Sequence, residues 1–384
     1  MRCIRWLTIS FFFLTSCATG KLIINSPAES TSLPPDITPS FSIYALGDAG
    51  ELNDQSRTVM NQLKLVTSDD VQPGMVVFLG DNIYPAGFAA ESDTENYHEG
   101  KAVLMNQING LYDYKEQILF IPGNHDWNEF RPGGLDAIRR EEKFIDNLNR
   151  PNIRFLPKNG CGGPIPIELN AHLVMLIIDS QWWIDDWTKE PHINEGCEIH
   201  SREEFIRSFH EMVAAYKDKQ IIVAMHHPLY TQGSHGGHFS LKNHLFPLTA
   251  IAKWLYLPLP LIGSLYPFYR SVIGHSQDLK NHRYKSLRDE LIKDLDYDGQ
   301  MIFLAGHEHC LQYIRMNRDH FLISGAGSKQ TAVANSKNLV YGHKIGGFME
   351  LDFYPDHQVW LNVYEVDPKT NSTKIAFSKA MISK

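Results

Sequence analysis

Five short apolar runs, each closed by a cluster of polar residues, constrain this chain more than any other feature of it. Ile43-Tyr44-Ala45-Leu46 leads to Gly47-Asp48, and Val76-Val77-Phe78-Leu79 to Gly80-Asp81-Asn82-Ile83-Tyr84. Ile118-Leu119-Phe120-Ile121 leads to Gly123-Asn124-His125-Asp126, Ile221-Ile222-Val223-Ala224 to His226-His227, and Met301-Ile302-Phe303-Leu304 to Gly306-His307-Glu308-His309. Runs of this length and β-branched content predict buried strands. Between them lie helical patterns at 55–66, 135–148 and 201–217, the last opened by Ser201 with Glu204 as a capping box. A further buried strand is predicted at 174–179, and short alternating runs such as 348–353 and 359–363 make the C-terminal part mostly β. Strand, loop and helix in alternation give an α/β class. In such sheets ligands sit beyond the carboxyl ends of the strands, so the five polar clusters converge.

The residue types in those clusters point to metals. Any one of these His or Asp residues could be an ordinary turn former, but five such strand ends together do not read that way. Asp81 offers a carboxylate able to bridge two cations. Tyr84 offers a phenolate, a rarer ligand suited to a hard, strongly Lewis-acidic ion such as ferric iron.

The series Gly47-Asp48, Gly80-Asp81-Asn82-Ile83-Tyr84, Gly123-Asn124-His125-Asp126, His226 and Gly306-His307-Glu308-His309 resembles the calcineurin-like metallophosphoesterases. Tyr84, following Asp81 in that cluster, narrows the likeness to the purple acid phosphatase branch. Leu311-Gln312-Tyr313 and Ser324-Gly325-Ala326-Gly327 resemble the small, tartrate-resistant acid phosphatases. The resemblance implies a four-layer α-β-β-α sandwich, two mixed sheets packed face to face with helices outside. It assigns Asp48, Tyr84 and His309 to one metal and Asn124, His226 and His307 to the other, with Asp81 bridging. The donor types agree, because the first set is hard and anionic and suits Fe(III), while the second is largely neutral and suits Fe(II), Zn(II) or Mn(II). The implied activity is hydrolysis of phosphate monoesters by a metal-bound hydroxide, with His125 or His235 as the proton donor to the leaving group. Asp126 is read as orienting the loop of Asn124 and His125. His227 is read as pointing away from the metals in an extended segment. A phosphodiesterase or pyrophosphatase on the same scaffold is the alternative, and a surface binding module with structural metals a remote one.

Composition bounds the rest. With 384 residues and 43% hydrophobic content the chain can bury a large core, and residues 41–384 read as one catalytic domain. A net charge of −8 with no Lys/Arg-rich run excludes nucleic acid as the main partner. Arg2 and Arg5 followed by an apolar stretch over residues 6–14 form a segment too short to span a bilayer, read as an export signal within 1–17. Leu14-Thr15-Ser16-Cys17 resembles the lipobox of bacterial lipoproteins, which implies a lipidated Cys17 anchored to a membrane of the cell envelope; a cut after Ala18 is the rival. Residues 18–40, rich in Ser, Thr and Pro, are read as a tether too polar to fold. Cys161 and Cys197 lie in turn-like sequence and are candidates to pair, whereas Cys310 is read as a buried hydrophobe. Residues 238–282 form an apolar, proline-broken insertion where the resembled acid phosphatases have only a short connection. Trp254, Tyr256, Tyr266, Phe268 and Tyr269 there are read first as a lid over the metals. A membrane-facing surface and a dimer contact are the other readings.

Overall fold

All five apolar runs become strands. In chain order the strands are β1 (Ile23–Ile24), β2 (Phe41–Leu46), β3 (Gly74–Phe78), β4 (Gln117–Phe120), β5 (Ile153–Phe155), β6 (Ile165–Asn170) and β7 (Leu173–Ile177). They continue as β8 (Gln220–Ala224), β9 (Ile302–Ala305), β10 (Leu311–Met316), β11 (Asp319–Ser324), β12 (Leu339–His343), β13 (Gly346–Phe353), β14 (Val359–Asp367) and β15 (Ser372–Ile382). The structure, a computed structural model, describes residues 18–25, 36–69, 71–250, 254–259 and 262–383. The strands form an eight-stranded sheet, β1-β12-β10-β11-β9-β8-β7-β6, and a seven-stranded sheet, β15-β14-β13-β2-β3-β4-β5. Strands β2 to β5 run parallel, as do β7, β8, β9 and β11; both flanks of the eight-stranded sheet and the β13–β15 flank of the other are antiparallel.

Period-two alternation sorts the side chains into layers. Ile43 and Ala45 of β2 join Val77, Leu119, Ile222 and Leu304 in a core built from both sheets. Their neighbours Tyr44 and Leu46 point the other way, into a cluster with the helices. The larger helices are α1 (Asp54–Asp69), α2 (Thr94–Gly110) and α3 (Gly134–Asp146), followed after the short α4 (Ser180–Ile184) by α5 (Arg202–Ala215). Helices α6 (Leu241–Leu245) and α7 (Leu265–Val272) lie in the insertion, and α8 (His282–Leu291) follows it. The α-β-β-α sandwich is therefore present. Each fully buried Leu, Ile, Val or Phe in it contributes about 1.5–3 kcal/mol.

Helix α5 starts where its cap predicts, with a variation. The Ser201 hydroxyl accepts the Glu204 N–H at 3.1 Å, but the Glu204 carboxylate takes the N–H of His200, at 2.8 Å, instead of closing the box on Ser201. Cys161 and Cys197 form a disulfide, and Cys310 is buried and free.

The tether reading is corrected for its first residues. Ile23 and Ile24 pair with Gly342 and Tyr341 at the edge of β12, and Thr19 bridges Val333. Asn25 Nδ2 donates to the carbonyl oxygens of Ser336 and Leu339. Polar composition conceals this because an edge strand borrows backbone partners from a sheet already formed and needs no core of its own. The export segment and Cys17 lie outside the described residues, as does the stretch 26–35. Among the described residues no helix is long and apolar enough to cross a membrane.

Candidate active site

The carboxyl ends of β2, β3 and β4 from one sheet meet those of β8 and β9 from the other. The Gly47 N–H donates to Ser324 O at 2.7 Å, and the Gly306 N–H to His226 O at 3.0 Å. Gly80 takes φ +84°, and a Cβ there would stand 2.7 Å from Gly123 N and 2.8 Å from His226 Nδ1, so the turn admits only glycine. Asp48, Asp81 and His307 also take left-handed φ values of 59°, 54° and 68°. Each such residue costs on the order of 1–3 kcal/mol and persists only where its surroundings hold it. Here the His307 N–H donates to Asp48 Oδ2 at 2.8 Å, tying the two sheets together.

Seven side chains converge at this junction. The Tyr84 hydroxyl lies 2.9 Å from Asp48 Oδ1, 3.1 Å from Asp81 Oδ2 and 3.1 Å from His309 Nε2. On the other side, His226 Nδ1–H donates to Leu79 O at 2.8 Å and His307 Nε2–H to Gln277 O at 3.0 Å. Those bonds turn His226 Nε2 and His307 Nδ1 toward one point, each 2.9 Å from Asn124 Oδ1 and 3.2 Å from each other. Two imidazole lone pairs and an amide oxygen facing one another are a cation's ligand set, not a hydrogen-bonding one. Asp81 stands between the halves, with Oδ2 toward Tyr84 and Oδ1 3.3 Å from His226 Nε2. Donor atoms of Asp48, Asp81 and His226 all lie within 4.8 Å of one another.

The electrostatics agree with that fit. Burial, with Asp48 and Asp81 alongside, pushes the Tyr84 phenol well above its ordinary range. A cation among the three oxygens inverts the sign of that repulsion and favours the phenolate. Burial opposes charge on His226, yet Asp81 holds it up at about 9, so without a cation Nε2 bears a proton that a bound metal would displace. His307 is driven well below its usual value by burial and by the other imidazoles, which keeps it neutral.

Asp126 does orient its loop. It accepts the N–H groups of Asn82 at 2.9 Å, Ile83 at 3.0 Å and Gly123 at 2.7 Å. His125 Nδ1–H donates to Pro85 O at 2.7 Å, leaving Nε2 3.3 Å from Glu129 and 3.9 Å from Asp81. The His235 ring lies 4.1 Å from that of His307, so the two candidate proton donors flank the cluster. His227 departs from its expected orientation, since the chain bends at 226–227 and strand alternation has ended. Its ring packs 4.4 Å from His307, with Nδ1 2.9 Å from the Ser180 hydroxyl.

Three further residues matter here to which the sequence assigned no role of their own. Asp278, buried within the insertion, holds His235 Nδ1 at 3.1 Å and binds Arg270 through both oxygens. Being the only acid in 238–282, it carried a signal that could have been found. Glu308 accepts from Ser234 N and Oγ, His235 N and Thr231 Oγ1, fixing the His235 loop to the His307 loop. Lys329 Nζ sits 3.1 Å from the centre of the Tyr84 ring, and no spacing announced it.

Residues 41–311 match the calcineurin-like phosphoesterase family. Purple acid phosphatase 17 of Arabidopsis thaliana is 23% identical over 346 residues, spanning 87% of this chain and 84% of that protein. Among solved structures, GAP50, the anchor in the inner membrane complex of Plasmodium, superposes with a TM-score of 0.55 at 12% identity over 90% of each chain. Purple acid phosphatase PPD1 from yellow lupin seeds gives 0.51 at 14% identity, covering 90% of this chain and 54% of its own. With the family matched over most of the fold and metal-binding side chains gathered at its strand ends, this chain belongs to the calcineurin-like phosphoesterases and is a metal-dependent phosphoric ester hydrolase.

Proposed function

We propose that the protein is a dinuclear-metal phosphatase acting on phosphate monoesters, with Fe(III) in one site and Fe(II), Zn(II) or Mn(II) in the other. The observation that carries this reading is Tyr84, whose hydroxyl touches Asp48, Asp81 and His309 at once. Asp48, Tyr84 and His309 would hold the harder ion and Asn124, His226 and His307 the softer, with Asp81 shared. Two ions there would acidify bound water and neutralise phosphate oxygens.

The chain's own groups do the rest. Asp278 is held at about 2: burial pushes it up, but the bonds from Arg270 and His235 outweigh that. It is therefore a carboxylate at any working pH, and with Arg270 Nη2 it meets His235 Nδ1, at 3.1 and 3.2 Å, which fixes the ring. His235 Nε2 is then the nitrogen left to serve a leaving group. His125, fixed by the Pro85 carbonyl, presents Nε2 from the opposite flank.

We also read the protein as exported and held to a membrane of the bacterial envelope through lipid on Cys17. The Cys161–Cys197 disulfide supports export, because such bonds persist in oxidising compartments.

Metal analysis combined with assays on p-nitrophenyl phosphate and its bis ester tests the function. Two ions per chain with preference for the monoester is the expected result. Preference for the bis ester would move the reading to phosphodiesterase, and one ion or none at full activity would overturn it.

A further inference from the structure

Among the described residues the insertion reaches the site through its C-terminal part. Gln277, Asp278 and Arg270 meet His307 and His235, whereas the insertion's aromatics keep large exposed areas. Trp254 is 78% exposed, Tyr256 55%, Tyr266 and Phe268 50% and Tyr269 44%. Leu257, Leu265, Val272 and Ile273 are exposed beside them in sequence. A lid would turn such side chains inward, so something else must meet this face.

Three observations say what. The first is where the chain enters the fold: the Ala18 N–H donates to Phe239 O at 3.2 Å, at the root of the insertion. Ala18 directly follows Cys17 in sequence, so the described chain enters the fold beside the insertion. The second is charge. In a chain of net −8, residues 238–282 carry Lys242, Lys253 and Lys280 in excess, because their one acid, Asp278, is buried and paired with Arg270. The third is the side-chain mixture, Trp and Tyr among Leu, Val and Ile on short proline-broken helices, which suits the level of lipid headgroups and cannot span.

We propose that the face presented by the described residues 241–249, 254–259 and 263–273 docks onto an anionic bilayer surface. Trp254 and the apolar residues of α7 enter the headgroup region, and the active site is held next to the membrane. The tether's position rests on the lipid anchor proposed above, while the docking face itself is a separate claim with its own readout.

The experiment uses the full chain mixed with vesicles of phosphatidylcholine, with and without phosphatidylglycerol, carrying brominated acyl chains. Flotation reports attachment, and tryptophan quenching, as the difference between wild type and Trp254→Phe, reports whether residue 254 meets lipid. Trp254 is exposed and is none of the cluster's side chains, so unchanged hydrolysis of p-nitrophenyl phosphate certifies the variant's fold. Expected are flotation, loss of Trp254 emission that deepens with phosphatidylglycerol and recedes with salt, and no quenching of a reporter at Val71→Trp in the Trp254→Phe background. Val71 is 87% exposed and lies just before β3, at the opposite edge of that sheet. Flotation without Trp254 quenching overturns the docking face but spares the anchor, and shielding of Trp254 only as dimers form would assign the face to a second copy. Neither flotation nor quenching overturns both, and equal quenching at residues 71 and 254 reduces the effect to general adsorption and overturns the proposal.

Discussion

Tyr84 bears most directly on which metal is bound. If its phenolate binds Fe(III), the oxidised protein absorbs visible light by charge transfer, and Tyr84→Phe loses that band while keeping the fold. A colourless, active protein holding only zinc or manganese would defeat the ferric assignment and leave the hydrolase intact. Asp81 touches both halves of the cluster, so Asp81→Asn should lower turnover at least about a hundredfold with loss of metal. Near wild-type turnover with both metals absent would end the dinuclear account. For His235→Ala the loss should reach about 10²–10⁴-fold on alkyl phosphates, whose leaving groups need a proton, and far less on p-nitrophenyl phosphate. Asp278→Asn should reproduce that pattern in weaker form at full metal content, because it loosens the Asp278–Arg270 pair that holds His235 without removing a metal-facing side chain. Equal losses on both substrates would make these residues binding groups.

At the scale of elements, strand ends were legible because each combines an apolar run with a glycine or polar turn, as at Val76 to Gly80. The pattern fails where contacts are borrowed. Strand β1 has two residues and no periodicity, yet it is fixed by β12. His227 lies beyond the end of β8, where the bend at 226–227 cancels the alternation that sequence reasoning extended to it. Asp278 reaches His235 across 43 residues, and no local spacing encodes such a contact. Hairpin β10–β11 supplies a pH prediction. His320 is fully buried, with Tyr313 Oη 2.8 Å from Nδ1 and Gln300 Oε1 2.7 Å from Nε2, and burial with Arg315 nearby lowers its pKa to about 4. Its folded pKa lies below the unfolded value of about 6.5, so the unfolded chain binds the proton first. The stability it confers is complete above about 6.5 and is lost as pH falls toward about 4, roughly 3 kcal/mol across the window. His320→Gln should flatten that limb of urea midpoints against pH; an unchanged slope would show that other groups govern it.

The whole molecule is two sheets whose carboxyl edges meet at one cluster. Asp48, Asp81, Tyr84 and Asn124 follow strands of the seven-stranded sheet, while His226, His307 and His309 follow strands of the other. Ions held as proposed between these sets would join the halves of the sandwich, and metal affinity would then become stability of the entire fold. Binding at one hundred times its dissociation constant adds about 2.7 kcal/mol per site for a ligand that ignores the unfolded chain. Stripping wild-type protein with chelator should therefore lower its unfolding temperature by several degrees, and re-addition should restore it. Asp81→Asn supplies the control, because it is expected to lose the shared ligand and hence to unfold at one temperature with or without chelator. Local ligation at the edge of one sheet predicts otherwise, namely loss of activity with no change in global unfolding. If wild type and Asp81→Asn respond alike to chelator, the ions do not bridge the two sheets and the assignment of His226, His307 and His309 to the same cluster as Asp48 must be abandoned.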